Sequence, residues 1–173
     1  NIKSYITGFE VPGYNEFYFA DLIAEQLGIT PRKLIIDPEE MSEGKAQHYS
    51  LEFYQPSPNG RFVVYGIAEG GSEQTIVHVY DMINNQDTGD SIDRIETAYN
   101  IPQWWNEQGF FYCRRQELDE NEPVTEIYKN TITLYHELGE PVENDKPIFG
   151  RSLSSNVEML DVDFPSIRVW ENS

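Results

Sequence analysis

Three histidines, one cysteine and 30 acidic side chains set against 12 lysines and arginines are what this chain offers for chemistry. A nucleophilic triad needs a serine beside a histidine that is itself oriented by an acid. The usual frame for such a serine is a G-x-S-x-G turn. No such pentapeptide occurs: Gly70-Gly71-Ser72-Glu73-Gln74 and Gly150-Arg151-Ser152-Leu153-Ser154 both lack the closing glycine. His48, His78 and His136 are therefore read without a catalytic role. His136-Glu137-Leu138-Gly139 stops short of the H-E-x-x-H zinc signature. The single cysteine, Cys113, excludes an internal disulfide and any multi-cysteine metal site. Asp119, Glu120, Glu122 and Glu126 cluster in one stretch, but a calcium loop needs a glycine at its bend, and none occurs from Gln116 to Tyr128. The cluster reads as a solvated acidic loop. These residues assign no catalytic site, no metal site and no cofactor.

The elements that position them are short strands between polar turns. Pro58-Asn59-Gly60 forms a tight turn in which Gly60 takes a positive φ. Residues 61–68 follow as a strand, with Phe62, Val64 and Gly66 on one face and Val63, Tyr65 and Ile67 on the other. Both faces are apolar, so both are expected to be buried. A glycine-rich hairpin loop at 69–73 leads to a paired strand over 75–82, with His78 in its middle, and a weaker strand lies near 91–96. The order then repeats. Trp105-Asn106-Glu107-Gln108 stands where Ser57-Pro58-Asn59-Gly60 stood, and the strand 109–114 contains Cys113. The acidic loop 117–126 replaces the hairpin, and T-I-T-L-Y-H-E-L at 131–138 mirrors T-I-V-H-V-Y-D-M at 75–82. A third start is visible at 167–173, where Trp170-Glu171-Asn172 resembles Trp105-Asn106-Glu107.

Self-similarity of this kind marks a blade-repeat fold. The expected class is all-β, a partial β-propeller of antiparallel four-stranded blades. The expected divisions are an N-terminal segment with the first strands at 1–49, one blade at 50–100, a second at 101–160 and a truncated third at 161–173. Over 15–27, Phe17, Ala20, Ile23, Ala24 and Leu27 recur at helical spacing with Gly28 as a stop. This favours a short helix over the strand that Phe17-Tyr18-Phe19 also allows. Residues 32–36 form a short strand closed by Asp37-Pro38. Trp104 and Trp105 are expected to pack between blades.

The chain has 173 residues, 39% hydrophobic and 13% aromatic, with a net charge of -18. It can bury a core, and its charge repels phosphate backbones and anionic lipid. Nucleic acid and membranes are therefore excluded as partners. No apolar run reaches the roughly 18 residues that cross a bilayer, and no leader pattern is visible, which points to a cytoplasmic setting.

Several of these pieces occur together in one family. Leu34-Ile35-Ile36-Asp37-Pro38-x-x-Met41-Ser42, S-P-N-G-R-F-V-V-Y-G at 57–66, G-S-E-Q-T-I-V-H-V-Y-D at 71–81, W-x-x-x-x-G-F-F-Y at 104–112 and L-Y-H-E-L-G at 134–139 resemble the N-terminal β-propeller of the prolyl oligopeptidase family of serine peptidases. The similarity covers roughly residues 30–150, though the helical region that usually precedes the first blade is not recognisable before Gly13. The resemblance implies a parent enzyme whose α/β-hydrolase domain, with a Ser/Asp/His triad, would be the propeller's partner. The propeller would cap that domain and admit only short peptides, cleaved after proline or basic residues by acyl transfer. It also places Tyr99 where family members carry an aromatic facing the central cavity, so Tyr99 is the substrate-contact candidate, with ordinary packing as the competing reading. The chain alone is expected to be non-catalytic. The alternative is a free-standing blade-repeat binding module. Self-association is a further expectation, through uncovered blade faces at Val63, Tyr65, Phe110 and Tyr112.

Overall fold

The computed structural model describes residues 5–8, 17–35, 49–70, 72, 74–97, 100–154 and 156–170. His48, Tyr99, the Asp37-Pro38 turn, the Met41-Ser42 end of its motif and Glu171-Asn172-Ser173 lie outside them. The first elements are a strand β1 (Tyr5–Gly8), a helix α1 (Phe17–Leu27) and a strand β2 (Arg32–Ile35). β1 and β2 pair in parallel, apart from the main sheet. The helix ends as the sequence predicts. Gly28 adopts φ +65, its N–H reaches the Glu25 carbonyl at 3.1 Å, and the Ile29 N–H reaches the Ala24 carbonyl at 3.0 Å. That pair of bonds is the glycine-capped helix end. The apolar stripe is only partly used, however. Phe17 and Ala24 are buried, whereas Ile23 and Leu27 are exposed beside Tyr18 and Phe19. Among the described residues no helix is long and apolar enough to cross a membrane.

A four-stranded antiparallel meander follows: β3 (Tyr49–Pro56), β4 (Phe62–Glu69), β5 (Thr75–Asp81) and β6 (Gln86–Ile95). β6 extends well before residue 91, and β3 is a strand that the sequence reading did not assign. β4 is buried on both faces from Val63 to Ala68, as its double apolar pattern requires. The turn before it closes on itself. Gly60 takes φ +68, and the Ser57 hydroxyl accepts from the Phe62 N–H at 3.1 Å. Within β4, Gly66 lies so close to the Phe53 ring and the Thr75 methyl that a Cβ would collide with both.

The second meander is β7 (Gln103–Asn106), β8 (Gly109–Arg114), β9 (Ile132–Glu137) and β10 (Lys146–Gly150), again antiparallel. Like β1 and β3, β7 and β10 are strands that the sequence reading did not assign. Among the described residues two repeats of four strands are thus present, in a mainly antiparallel β architecture with one α-helix. Cys113 is a buried strand residue in β8, and burial pushes its thiol up to about 11. The acidic stretch is a solvent-facing loop with a short 3-10 turn at Val124–Tyr128. Residues 156–170 contain no strand and lie along β9. The Asn130 N–H donates to the Asp161 carbonyl at 2.6 Å, and the Thr133 hydroxyl to that of Pro165 at 2.8 Å.

The blades meet face to face. Phe53, Val64, Val77, Val79, Ile92 and Ile95 of the first pack against Trp104, Phe110 and Tyr112 of the second. A backbone bridge joins them at Ile95 and Arg114. The other face of the first blade, with Val63, Tyr65 and Ile67, is covered by Leu34 of β2. Two expectations are corrected here. Val63, Tyr65, Phe110 and Tyr112 are all buried, two by the N-terminal unit and two by the seam, so they supply no uncovered face for self-association. Trp104 packs between the blades, but Trp105 alternates to the opposite side of β7 and stays 58% exposed, edge-on to Phe111.

Candidate functional site

The polar chemistry of the described residues gathers where the first blade hands over to the second. At residue 96 the chain leaves β6, and it returns as β7. Glu96 and Arg115 anchor this crossing as a buried ion pair, Nε to Oε2 at 2.8 Å. Two backbone bonds flank the pair: the Glu96 N–H to the Cys113 carbonyl at 3.0 Å and the Arg115 N–H to the Arg94 carbonyl at 2.9 Å. The Arg115 guanidinium lies over the Tyr128 ring at 4.9 Å, so both its charge and its plane are used. Tyr99, the candidate for substrate contact, belongs to this crossing but lies outside the described residues.

At the far end of β7 the two repeat turns hold each other. Glu107 accepts from the Ser57 hydroxyl at 2.9 Å and from the Asn59 N–H at 2.5 Å. Trp104 lies over Phe62, with ring centroids 6.4 Å apart, and donates its indole N–H to the Gln55 carbonyl at 2.9 Å. A hollow of about 650 Å³ opens beside these turns, walled by Pro56, Pro58, Trp104, Trp105 and Trp170.

The third polar feature surrounds His136. Its ring is fully buried against Phe110. Nδ1 lies 2.8 Å from Asp145 Oδ1, and Nε2 lies 3.2 Å from Asp90 Oδ1. Asp145 also accepts from the Tyr112 hydroxyl at 2.5 Å. Asp90 accepts from the Thr88 hydroxyl at 2.6 Å and the Gly139 N–H at 2.8 Å. Burial opposes the charged ring, but the bonds to Asp145 and Asp90 outweigh it and raise the histidine to about 9. Burial likewise opposes ionised Asp90, yet the bonds from His136, Thr88 and Gly139 hold its carboxyl below the usual range. Burial and the bond to Asp145 push the Tyr112 phenol far up.

This arrangement can brace the seam, but it cannot activate a serine. Both ring nitrogens are occupied by carboxylates, so neither is free to take a hydroxyl proton. Among the described residues no group of three or more His, Cys, Asp or Glu is placed to hold a metal ion. The two carboxylates approach opposite ends of the imidazole, so the three side chains share no common centre. His78 stacks on Tyr65 at 5.6 Å and is lowered by burial. Sequence reasoning missed Asp90, Asp145, Glu96, Arg115 and Glu107. Asp90 carried no local signal, because it closes the polar run Q-D-T-G-D, which reads as a loop.

Successive four-stranded antiparallel meanders packed face to face define the β-propeller class. Residues 15–160 match the family model of the prolyl oligopeptidase N-terminal β-propeller domain, and the chain belongs to that family. No curated protein matches the sequence significantly. Among solved structures, the chain is similar to a prolyl endopeptidase studied for inter-domain dynamics in catalysis and specificity (22% identity, TM-score 0.52, covering 66% of this chain and 15% of that one). It is also similar to prolyl oligopeptidase B from Galerina marginata (18%, 0.54, 66% and 17%). A post-proline cleaving enzyme from Rickettsia typhi is a further relative in fold (17%, 0.50, 66% and 17%). The chain thus spans about one sixth of the length of these proteins.

Proposed function

We propose that this chain is the non-catalytic propeller portion of a serine-type oligopeptidase. Its blades cap an α/β-hydrolase domain and restrict access to short peptides, which that domain cleaves after proline or a basic residue. The observation that carries the reading is continuity. The two packed blades occupy the residues that match the family's propeller. Among the described residues β3 and β7 each pair on one side only, and in this reading those edges border a central passage. Tyr99, four residues before β7, is the aromatic that the family resemblance offers for substrate contact. No G-x-S-x-G occurs in the sequence, so the acyl-transfer machinery belongs to the partner domain.

The test compares the complete protein encoded by the reading frame with a version whose blade residues 49–150 are deleted. The intact protein should cleave a proline-containing octapeptide and spare the same site in a long unfolded polypeptide, and the deletion should erase that preference. Equal cleavage of both substrates by the intact protein would overturn the capping role. A reading frame without a hydrolase domain would leave a free-standing binding module.

A further inference from the structure

We propose that His136 is a charged latch between the two blades and that loss of its proton loosens the seam. The geometry is specific. Asp90 belongs to β6 of the first blade; His136, Tyr112 and Asp145 belong to the second. The contact between Asp90 and His136 spans 46 positions in sequence. A neutral imidazole has one N–H donor and one lone pair. With carboxylate oxygens at 2.8 Å and 3.2 Å from its two nitrogens, a neutral ring would set a lone pair against an anion. With both carboxyls ionised, only the doubly protonated ring satisfies both partners.

Every element packed on the ring reinforces this. β6 contributes Asp90, steadied by the Thr88 hydroxyl. β8 contributes the apolar Phe110 ring and, through Asp145, the Tyr112 phenol. The segment before β10 contributes Asp145, and the turn after β9 donates the Gly139 N–H to Asp90. Deprotonation leaves two buried carboxylates with no cation between them, and the cheapest relief is to let water in along the seam.

The sign follows from the raised histidine. Its value of about 9 exceeds the ordinary 6.5, so its contribution is complete below pH 6.5 and lost as pH rises to 9. Over that window the folded-to-unfolded ratio should fall by on the order of a hundredfold. On the acid side, Asp90 sits below its ordinary value, so its contribution is present above that value and lost as pH falls through the depressed one.

Two measurements on the 173-residue chain decide the matter. The first is nitrogen-15 NMR of the His136 ring in the unaltered chain. It should show both nitrogens protonated at pH 7, with a midpoint near 9. A neutral tautomer at pH 7 would overturn the proposal. The second follows the emission of Trp104, buried at the seam, after the exposed Trp105 and Trp170 are changed by W105F and W170F. Emission should move to longer wavelength with the midpoint of the histidine, and H136Q, which retains the same tyrosines, should show no such midpoint. A Trp104 signal that stays flat while His136 titrates would reduce the network to a static brace and refute the latch.

Discussion

The first blade is covered on both faces, but by different means. Toward the second blade it meets three large aromatic side chains, a buried ion pair at the crossing, a turn-to-turn clasp and the His136 network. Toward the N-terminal unit it meets, among the described residues, chiefly Leu34, with Tyr49, Leu51, Tyr80 and Met82 partly buried around the same cluster. The helix that accompanies this cover turns Tyr18, Phe19, Ile23 and Leu27 outward. The difference in packing among the described residues predicts that the blades open together and that the N-terminal cover opens first. The histidines follow the same division. His136 on the seam is held charged by two acids, while His78 on the other face has been pushed toward its neutral form by burial against Tyr65.

The comparison breaks most sharply at the seam core. Phe110→Ala should cost about 3–5 kcal/mol in a urea titration, because a fully buried ring is removed where both blades supply neighbours. Glu96→Ala should cost a similar amount, about 3–5 kcal/mol, since it leaves the Arg115 charge buried without its partner. Leu34→Ala should cost less, about 2–3 kcal/mol, because its cover is thinner and can collapse. Equal losses at Leu34 and Phe110 would erase the distinction. Removing the clasp with Glu107→Ala should cost about 1–2 kcal/mol, the worth of two hydrogen bonds to a charged group at the rim. At the small end, Ile23→Ser on the outer face of α1 should stay within about 0.5 kcal/mol.

The pH response sharpens the same contrast. A histidine lowered by burial resists protonation in the folded state, so His78 removes stability as pH falls through its ordinary 6.5. His136 does the reverse and adds stability as pH falls from 9 toward 6.5. Thermal melts of His78→Asn should therefore be steadier than the unaltered chain below pH 6.5 and parallel to it above.

The strands that were legible in the sequence are those with dense apolar signals. β4, β5, β8 and β9 carry β-branched and aromatic side chains in register, and the Gly60 turn and the Gly28 stop announce themselves by residue type. β3 and β7 were not legible. Tyr49–Pro56 mixes Ser, Glu and Gln with its aromatics, and Gln103–Asn106 is only four residues long. The first half of β6, Q-D-T-G-D, reads as a loop because its side chains are polar and mostly exposed. The His136 network was invisible for a different reason. Its partners lie 46 and 9 positions away, and only the face-to-face packing of the blades brings Asp90 to the ring. Trp105 shows the converse error: its type suggested burial, whereas the alternation of β7 turns it outward.

Native-state hydrogen exchange tests the rigidity of the blade pair most directly. The probes are the Glu96 and Arg115 amides at the seam, the Val64 and Val77 amides within the first blade, and the strand amides of β2 in the N-terminal cover. The seam and blade amides should open with one shared free energy, equal to that of global unfolding, while those of β2 open at a lower one. Seam amides that exchange well before the interior of the first blade would contradict the account, because the two blades would then be separate bodies in contact.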